Sequence, residues 1–249
     1  MQNFVKVYSI LFKTLILSIF VSTIATADSK SWILETDGLW LKETKELILL
    51  KTNLENHTLD LFLDESKLNS QSYVSDAAKT EKNIAVINAS FFDPKAFPLG
   101  YISRNGKKLN ALHSGGNVLT GIFLLKNNQA KIIPRAKITN FEDSDLAIQA
   151  GPRLLVSGKN TLIKSPQQSA RSAICITRGK EIILASTQPQ ARMSLPELQE
   201  KLFSEAACHD ALNLDGGTSS QILIRRNGKD VVKKLSFASV PVHLVLIDN

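Results

Sequence analysis

Five short turn sequences, each between two apolar runs, constrain the fold of this chain more than any other feature. Asn and Gly recur within them, and these residues most easily adopt the left-handed backbone that tight hairpin turns require. Each turn therefore predicts a pair of antiparallel strands. The five turns are Arg104–Lys107, Lys126–Gln129, Ser157–Asn160, Arg178–Lys180 and Arg226–Lys229.

Further apolar runs predict strands outside these hairpins. Residues 47–50 and 59–63 are short apolar segments separated by a polar turn, and residues 84–87 are mostly β-branched, as is typical of a buried strand. Residues 240–247 are apolar around a proline and are predicted to close the sheet.

Helical patterns are few. Residues 72–82 place their apolar residues on one side, and a second helix is predicted over residues 195–208, after a capping box formed by Ser194 and Glu197. No repeat of the solenoid or propeller kind is present. We therefore predict an α+β fold, a sheet-rich single domain with multiple hairpins and a few helices packed on the sheet.

The first 27 residues have the pattern of a signal peptide. Lys6 and Lys13 precede an apolar run at residues 15–24, and small residues follow this run at Ala25–Ala27. The run is too short to span a bilayer comfortably, which disfavours the alternative of a retained anchor. Residues 28–249 are thus predicted to be a periplasmic or secreted domain, without stable membrane insertion after cleavage.

The charge pattern disfavours a nucleic-acid partner. The chain has 30 basic and 23 acidic residues, a net charge of +7, and removal of Lys6 and Lys13 reduces this to +5. The basic residues, including Lys233 and Lys234, are scattered among hairpins without an aromatic stripe, so we interpret them as a solvated surface. An anionic ligand remains compatible with this charge.

Two cysteines, Cys175 and Cys208, are present. In an exported protein a disulfide between them and two free thiols are both compatible with the sequence. Cys208 is followed by His209 and Asp210, but a working triad is assembled from distant positions, so we interpret Cys208 as a packing residue. No zinc-type spacing, phosphate loop or dinucleotide fingerprint occurs, so no cofactor is predicted, and metal binding is left open.

The stretch from Asn213 to Ser220 combines an aspartate, two adjacent glycines and three hydroxyl residues between apolar runs. Glycines allow positive φ and close approach of a ligand, and hydroxyl groups supply hydrogen-bond donors at the same place. A hairpin turn is the alternative, because Asp-Gly between apolar runs is a strong hairpin signal. The residues predicted to form a site here are Asn213, Asp215, Gly216, Gly217, Thr218 and Ser219.

A second polar cluster follows the predicted strand at residues 84–87. Asn88 offers a donor and an acceptor, and Phe91 and Phe92 are suited to the wall of a pocket. Asp93 is a candidate acid, although Asp followed by Pro also initiates turns.

Two arginines are placed where an anion could bind. Gln149 and Arg153 flank a Gly-Pro corner, and Arg171 opens an apolar strand. A guanidinium group suits bidentate anion binding, but a surface position for Arg153 and a solvent-facing one for Arg171 are the alternatives. His113, beside two glycines, is a weaker candidate that we interpret as a loop residue. Together, the arginines, carboxylates, asparagines and hydroxyls of these clusters suit a sugar joined to a phosphate.

Four motifs in this order and spacing resemble the phosphodiester glycosidase family. They are Asn88-Ala-Ser-Phe-Phe, Gln149-Ala-Gly-Pro, Arg171-Ser-Ala-Ile and Leu212-Asn-Leu-Asp-Gly-Gly-Thr-Ser-Ser220, and the similarity extends over about residues 83–247. The resemblance implies a mixed α and β domain and release of a sugar from a sugar-phosphodiester. Family members often carry a second glycine where this chain has Ala89 and Ser90, so the pocket wall and the substrate can differ there.

The residues and the resemblance together predict an exported hydrolase that acts on a sugar-phosphodiester. Two rivals are a non-catalytic protein that binds envelope glycans and an exopolysaccharide-processing enzyme that cleaves an ordinary glycosidic bond. Asp215 and Asp93 are the predicted catalytic carboxylates, Arg153 and Arg171 the predicted phosphate ligands, and Asn88, Asn213, Thr218 and Ser219 the predicted sugar ligands.

Overall fold

A computed structural model describes residues 31–80, 82–137 and 144–249, so the predicted signal peptide lies outside the described residues. Eighteen strands and two α-helices make up the regular structure of these ranges. The strands are β1 (Ile33–Thr36), β2 (Leu39–Glu43), β3 (Leu47–Thr52), β4 (His57–Phe62), β5 (Asn83–Asn88), β6 (Ile102–Arg104), β7 (Lys107–Asn110), β8 (Gly121–Lys126), β9 (Gln129–Pro134), β10 (Leu146–Ala150), β11 (Arg153–Val156), β12 (Lys159–Asn160), β13 (Ser172–Thr177), β14 (Ile182–Thr187), β15 (Cys208–Asn213), β16 (Ile222–Arg226), β17 (Lys229–Lys234) and β18 (His243–Asp248), and the helices are α1 (Val74–Ala77) and α2 (Leu195–Ala206).

Three sheets contain all the strands. An eight-stranded sheet has the order β1-β2-β3-β14-β13-β15-β11-β12, and we call it the large sheet. A five-stranded sheet has the order β7-β6-β10-β8-β9, and a second one, which we call the β5 sheet, has the order β17-β16-β5-β18-β4. Every strand pairing is antiparallel, as the hairpin-rich sequence requires.

One apolar core lies where the three sheets face each other. The large sheet contributes residues such as Leu50 and Ile174, the β5 sheet contributes Ile87, and the third sheet contributes Phe123, all of them fully buried. Alternate residues of the large sheet face the other way and pack against α2, where Leu198 is buried. Helix α1 packs on the outer face of the β5 sheet.

The fold class predicted from the sequence is wrong, because strands dominate and the structure is closer to all-β than to α+β. The predicted helix at residues 72–82 is reduced to the single turn of α1. After α1 the chain continues into β5, and the side chain of Asn83 donates to the carbonyl of Ala77, the last residue of α1. A single helical turn has too few backbone hydrogen bonds to favour extension of the helix, so packing and capping determine the length of α1.

The predicted hairpin turns are confirmed. Asn105, Asn127, Ser157, Lys180 and Asn227 all have positive φ, and each lies between two paired strands. The capping box of α2 is also confirmed, because the Ser194 side chain accepts from Glu197 N. The helix ends at Ala206, two residues before the predicted end.

The Asn213–Ser220 stretch does not form a hairpin. It leaves β15 in the large sheet and enters β16 in the β5 sheet, so it carries the chain from one sheet to the other. We call residues Asp215–Ser220 the crossing loop. Its position at one end of the core between the sheets brings strand ends from both sheets to the same place.

Cys175 and Cys208 form a disulfide, which joins β13 to its neighbour β15. Within the described ranges no helix is long and apolar enough to cross a membrane. No group of three or more His, Cys, Asp or Glu side chains is arranged to hold a metal ion in the same part of the chain.

Candidate active site

Asn88 fastens both ends of the crossing loop. Its side-chain Nδ2 donates to the carbonyl of Asp215 at 2.7 Å, and its Oδ1 accepts from the backbone N–H of Gln221 at 3.1 Å. The Oδ1 also accepts from the Ser172 hydroxyl at 2.7 Å. Asn88 is fully buried, so these contacts make it a residue that holds the loop in place.

Asp215 begins the crossing loop with a carboxyl group that is largely buried. Its backbone N–H donates to the carbonyl of Ala89, and its Oδ1 accepts from the N–H of Gly216 at 2.9 Å. Burial raises the pKa of Asp215, and hydrogen bonds from Ser219 and Gly216 only partly oppose that shift. Among the described residues, no Lys, Arg or His forms an ion pair with this carboxylate. A carboxyl group in this setting is suited to acid–base chemistry.

The two glycines of the loop serve different purposes. A Cβ atom on Gly216 would lie 2.8 Å from the carbonyl oxygen of Ala170, so only glycine lets the loop pass the start of β13. Gly217 has φ of +61°, the left-handed conformation that starts the following 3₁₀ turn. The backbone of the loop therefore accounts for glycine at both positions of the motif.

The three hydroxyl residues after the glycines have different surroundings. Thr218 is exposed, whereas Ser219 and Ser220 are buried. Ser220 Oγ donates to the carbonyl of Arg171 at 2.9 Å and lies 2.8 Å from Ser172 Oγ. Of the two predicted sugar ligands in this group, Thr218 presents its side chain to solvent and Ser219 does not.

Lys234, at the end of β17, is buried, so its interpretation from the sequence as part of the solvated surface is wrong. It is only 5% exposed, and its Nζ donates to the hydroxyls of Ser186, Thr187 and Ser220 at 3.0, 3.1 and 2.8 Å. Burial, and the nearby charge of Arg192, lower the pKa of Lys234 to about 7. The sequence places it in a Lys-Lys pair beside a hairpin, and only its pairing with the buried Ile222 shows that it points inward.

A pocket of about 290 Å³ opens over Lys234. This volume is close to the lower end of the range for small-molecule sites, about 300–1,000 Å³. Its lining comprises Ala170, Pro189, Arg192, Gly217, Thr218, Ser220, Lys234, Leu235, Ser236 and Phe237. The crossing loop therefore forms one wall, and among the described residues of the lining two are basic and none carries a carboxylate.

The structure does not bring Arg153 and Arg171 together. Arg153 pairs with Leu212 and packs beside Gly121, on the core face of the large sheet. Arg171 faces the α2 side, where its Nε and Nη2 donate to the carbonyls of Met193 and Gln167. Burial lowers the pKa of Arg171. The two guanidinium groups therefore do not form one phosphate clamp.

Gln149 and Asn213 use their side chains to hold backbone. The Oε1 of Gln149 accepts from the N–H groups of Tyr101 and His113, and its Nε2 donates to the carbonyls of His113 and Leu119. Asn213 Nδ2 donates to the carbonyl of Gly151, while its buried Oδ1 has no partner among the described residues. His113 itself is exposed on the loop that Gln149 fastens.

Asp93 closes a turn. Its Oδ1 accepts from the N–H groups of Lys95 and Phe97 at 2.8 and 2.9 Å, and its backbone N–H donates to the carbonyl of Phe97. This geometry matches the turn-initiating alternative. Phe91 packs against the core, and Phe92 pairs with Pro98 at the base of the same turn.

Sequence comparison decides the family. A profile of the phosphodiester glycosidase (NAGPA) family matches residues 81–247, which include the crossing loop and all four motifs. The chain belongs to the phosphodiester glycosidase family. No protein of curated function matches the sequence.

Solved structures with low sequence identity share the fold of this phosphodiester glycosidase family member. The zebrafish N-acetylglucosamine-1-phosphodiester α-N-acetylglucosaminidase catalytic domain, auto-inhibited by its pro-peptide, superposes with a TM-score of 0.64 at 18% identity, covering 88% of this chain and 81% of that chain. A hypothetical protein from Synechocystis has a TM-score of 0.57 at 16% identity, covering 88% of this chain and 61% of that chain. A putative exported protein from Burkholderia pseudomallei has a TM-score of 0.53 at 13% identity, with coverages of 82% and 75%.

Proposed function

We propose that this protein is an exported hydrolase that releases a sugar from a sugar-phosphodiester. The observation that carries the proposal is the carboxyl group of Asp215, which is largely buried, has a raised pKa and stands at the start of the crossing loop. Membership of the phosphodiester glycosidase family supports the reaction class.

In this proposal Asp215 acts at the anomeric carbon. Cleavage of a bond to an anomeric carbon passes through a state with positive charge on the sugar ring, which a nearby carboxylate stabilises. The raised pKa also makes the ionised Asp215 a stronger base toward an attacking water. A phosphate is a good leaving group, so the departing oxygen needs little help from a strong acid. One carboxylate therefore suffices in this mechanism, and Asp93 has the structural role of closing a turn.

Export is part of the proposal. The pattern at residues 1–27 motivates it, and the Cys175–Cys208 disulfide supports it, because disulfides persist in the periplasm and outside the cell. Expression of the chain with its own leader in a bacterium should yield periplasmic protein that begins at Asp28. Recovery of membrane-bound protein that retains Met1 would contradict this part of the proposal.

The reaction is tested with a panel of sugar 1-phosphodiesters. Purified protein should release reducing sugar and a phosphomonoester in equal amounts from at least one member, and Asp215→Asn should abolish nearly all of that release. Cleavage of aryl glycosides but of no phosphodiester would favour an ordinary glycosidase. Binding of panel members without turnover would favour a glycan-binding protein, and either result would overturn the proposal.

A further inference from the structure

Protonated Lys234 is a cation that lacks a counter-charge within the described part of the chain. Its three hydrogen-bond partners are neutral hydroxyls, and none of the ion pairs there includes it. Buried charges are strongly unfavourable unless an opposite charge compensates them, and folded proteins normally supply a carboxylate for that purpose. An anion entering from the pocket would supply the missing charge.

Arg192, which also lines the pocket, strengthens this argument. Its side chain is exposed and bonds only to the carbonyls of Pro189 and Ala191, so it also lacks a carboxylate partner among the described residues. The charge of Arg192 lies close enough to lower the pKa of Lys234, and an anion bound beside both groups would offset this repulsion. Thr218 and Ser220 add hydroxyl groups to the same lining.

We propose that the pocket lined by Lys234, Arg192 and the crossing loop binds the phosphate group of the substrate. On binding, the ammonium group of Lys234 exchanges one of its hydroxyl contacts for a stronger, charge-assisted bond to a phosphate oxygen. Arg192 supplies a second positive charge, and the exposed Thr218 hydroxyl is available to donate. These residues take the role that the sequence analysis gave to Arg153 and Arg171.

The position of the pocket fits a substrate that also reaches Asp215. The loop residue Gly217 lines the pocket and is only two residues from Asp215, so their Cα atoms are at most about 7 Å apart. A sugar at the carboxyl group and its phosphate at Lys234 would thus lie along the same loop. The identity of the anion rests on the proposed function, whereas the presence of an anion site does not.

The pocket is tested by direct binding, without turnover. Dimethyl phosphate is a suitable probe because its single acidic hydroxyl is ionised at neutral pH, and trimethyl phosphate is the neutral control of similar shape. Binding is followed by NMR chemical-shift titration of the purified protein. The wild type should bind dimethyl phosphate and not trimethyl phosphate, with shifts at Gly217, Thr218 and Ser220.

Two variants and two matched controls locate the site. Lys234→Met and Arg192→Gln should each weaken dimethyl phosphate binding at least about tenfold, the effect of losing one charge-assisted contact. Lys233→Met, the neighbouring exposed lysine, and Arg178→Gln, an exposed turn arginine, should leave the affinity unchanged. If Lys234→Met does not fold, Arg192→Gln decides the question alone.

Three outcomes would contradict the proposal that this pocket binds phosphate. These are no binding to the wild type, equal binding of the neutral control, and unchanged affinity in the folded variants of Lys234 and Arg192. The proposed function fails separately, because a protein that binds dimethyl phosphate at this pocket but cleaves no sugar-phosphodiester keeps the anion site and loses the reaction.

Discussion

Gln149 and Lys234 are both fully or almost fully buried polar side chains, yet their surroundings differ. Gln149 is neutral, and its amide is bonded to four backbone groups of the segments that it joins. Lys234 is ionisable, bonds only to hydroxyls and lines a pocket. A polar group that is satisfied by backbone stabilises the fold, whereas a charge without a counter-charge marks a place where a ligand contributes.

The largest expected effect is on the pH dependence of stability at Lys234. Its pKa is about 7 in the folded protein and near 10.5 when exposed, so between these values the unfolded chain binds a proton that the folded chain does not. Stability of the wild type relative to Lys234→Met should therefore rise as the pH increases from about 7 to 10.5, by on the order of a few kcal/mol. The neighbours that face Lys234 are the three hydroxyls and Arg192.

Urea unfolding of both proteins across this pH range measures the difference, and Lys233→Met is the control that should show no such trend. A constant difference between wild type and Lys234→Met would mean that the lysine keeps its ordinary pKa and that the contrast with Gln149 is smaller than the geometry indicates.

Gln149→Leu should reduce the free energy of unfolding by about 3 kcal/mol, because it strips partners from buried backbone groups of Tyr101 and Leu119. The activity of the folded fraction should remain. Gln129→Leu, at an exposed hairpin turn, is the control and should change stability little. A stable but inactive Gln149→Leu protein would make Gln149 a substrate ligand, as the sequence alone predicted.

Asp215→Asn should lower kcat by about 10²-fold on the substrate that the panel identifies, because it removes the negative charge at the anomeric centre and keeps the shape. Asp93→Asn keeps the acceptor that closes its turn, so kcat should stay within a few-fold of the wild type. Thermal unfolding measured beside turnover separates lost chemistry from lost structure. The reverse ranking of the two variants would move the chemistry to Asp93.

Arg171→Lys should have the smallest effect. A lysine cannot reproduce both guanidinium bonds to the carbonyls of Met193 and Gln167, so the free energy of unfolding should fall by about 1 kcal/mol. Dimethyl phosphate affinity should be unchanged in NMR titration. A marked loss of affinity with unchanged stability would restore Arg171 as a phosphate ligand.

The sequence by itself determined the local features. The Asn and Gly residues of four of the five turns adopt positive φ within a few residues, and the Ser194–Glu197 capping box acts over a single helical turn. Both depend on neighbours in the chain, so both are visible without the fold. The motif around Asp215 likewise indicates a special backbone, since Gly216 and Gly217 are needed there for space and for conformation.

Only the tertiary structure decided which of these features meet. Asp-Gly between two apolar runs is compatible with a hairpin. In the structure, however, β15 pairs within the large sheet and β16 within the β5 sheet, so the segment crosses between sheets. The direction of a side chain on a strand follows from register with distant strands. Register therefore buries Lys234 beside Ser220, and it turns Arg153 and Arg171 to opposite faces, although no residue near them in the chain specifies either result.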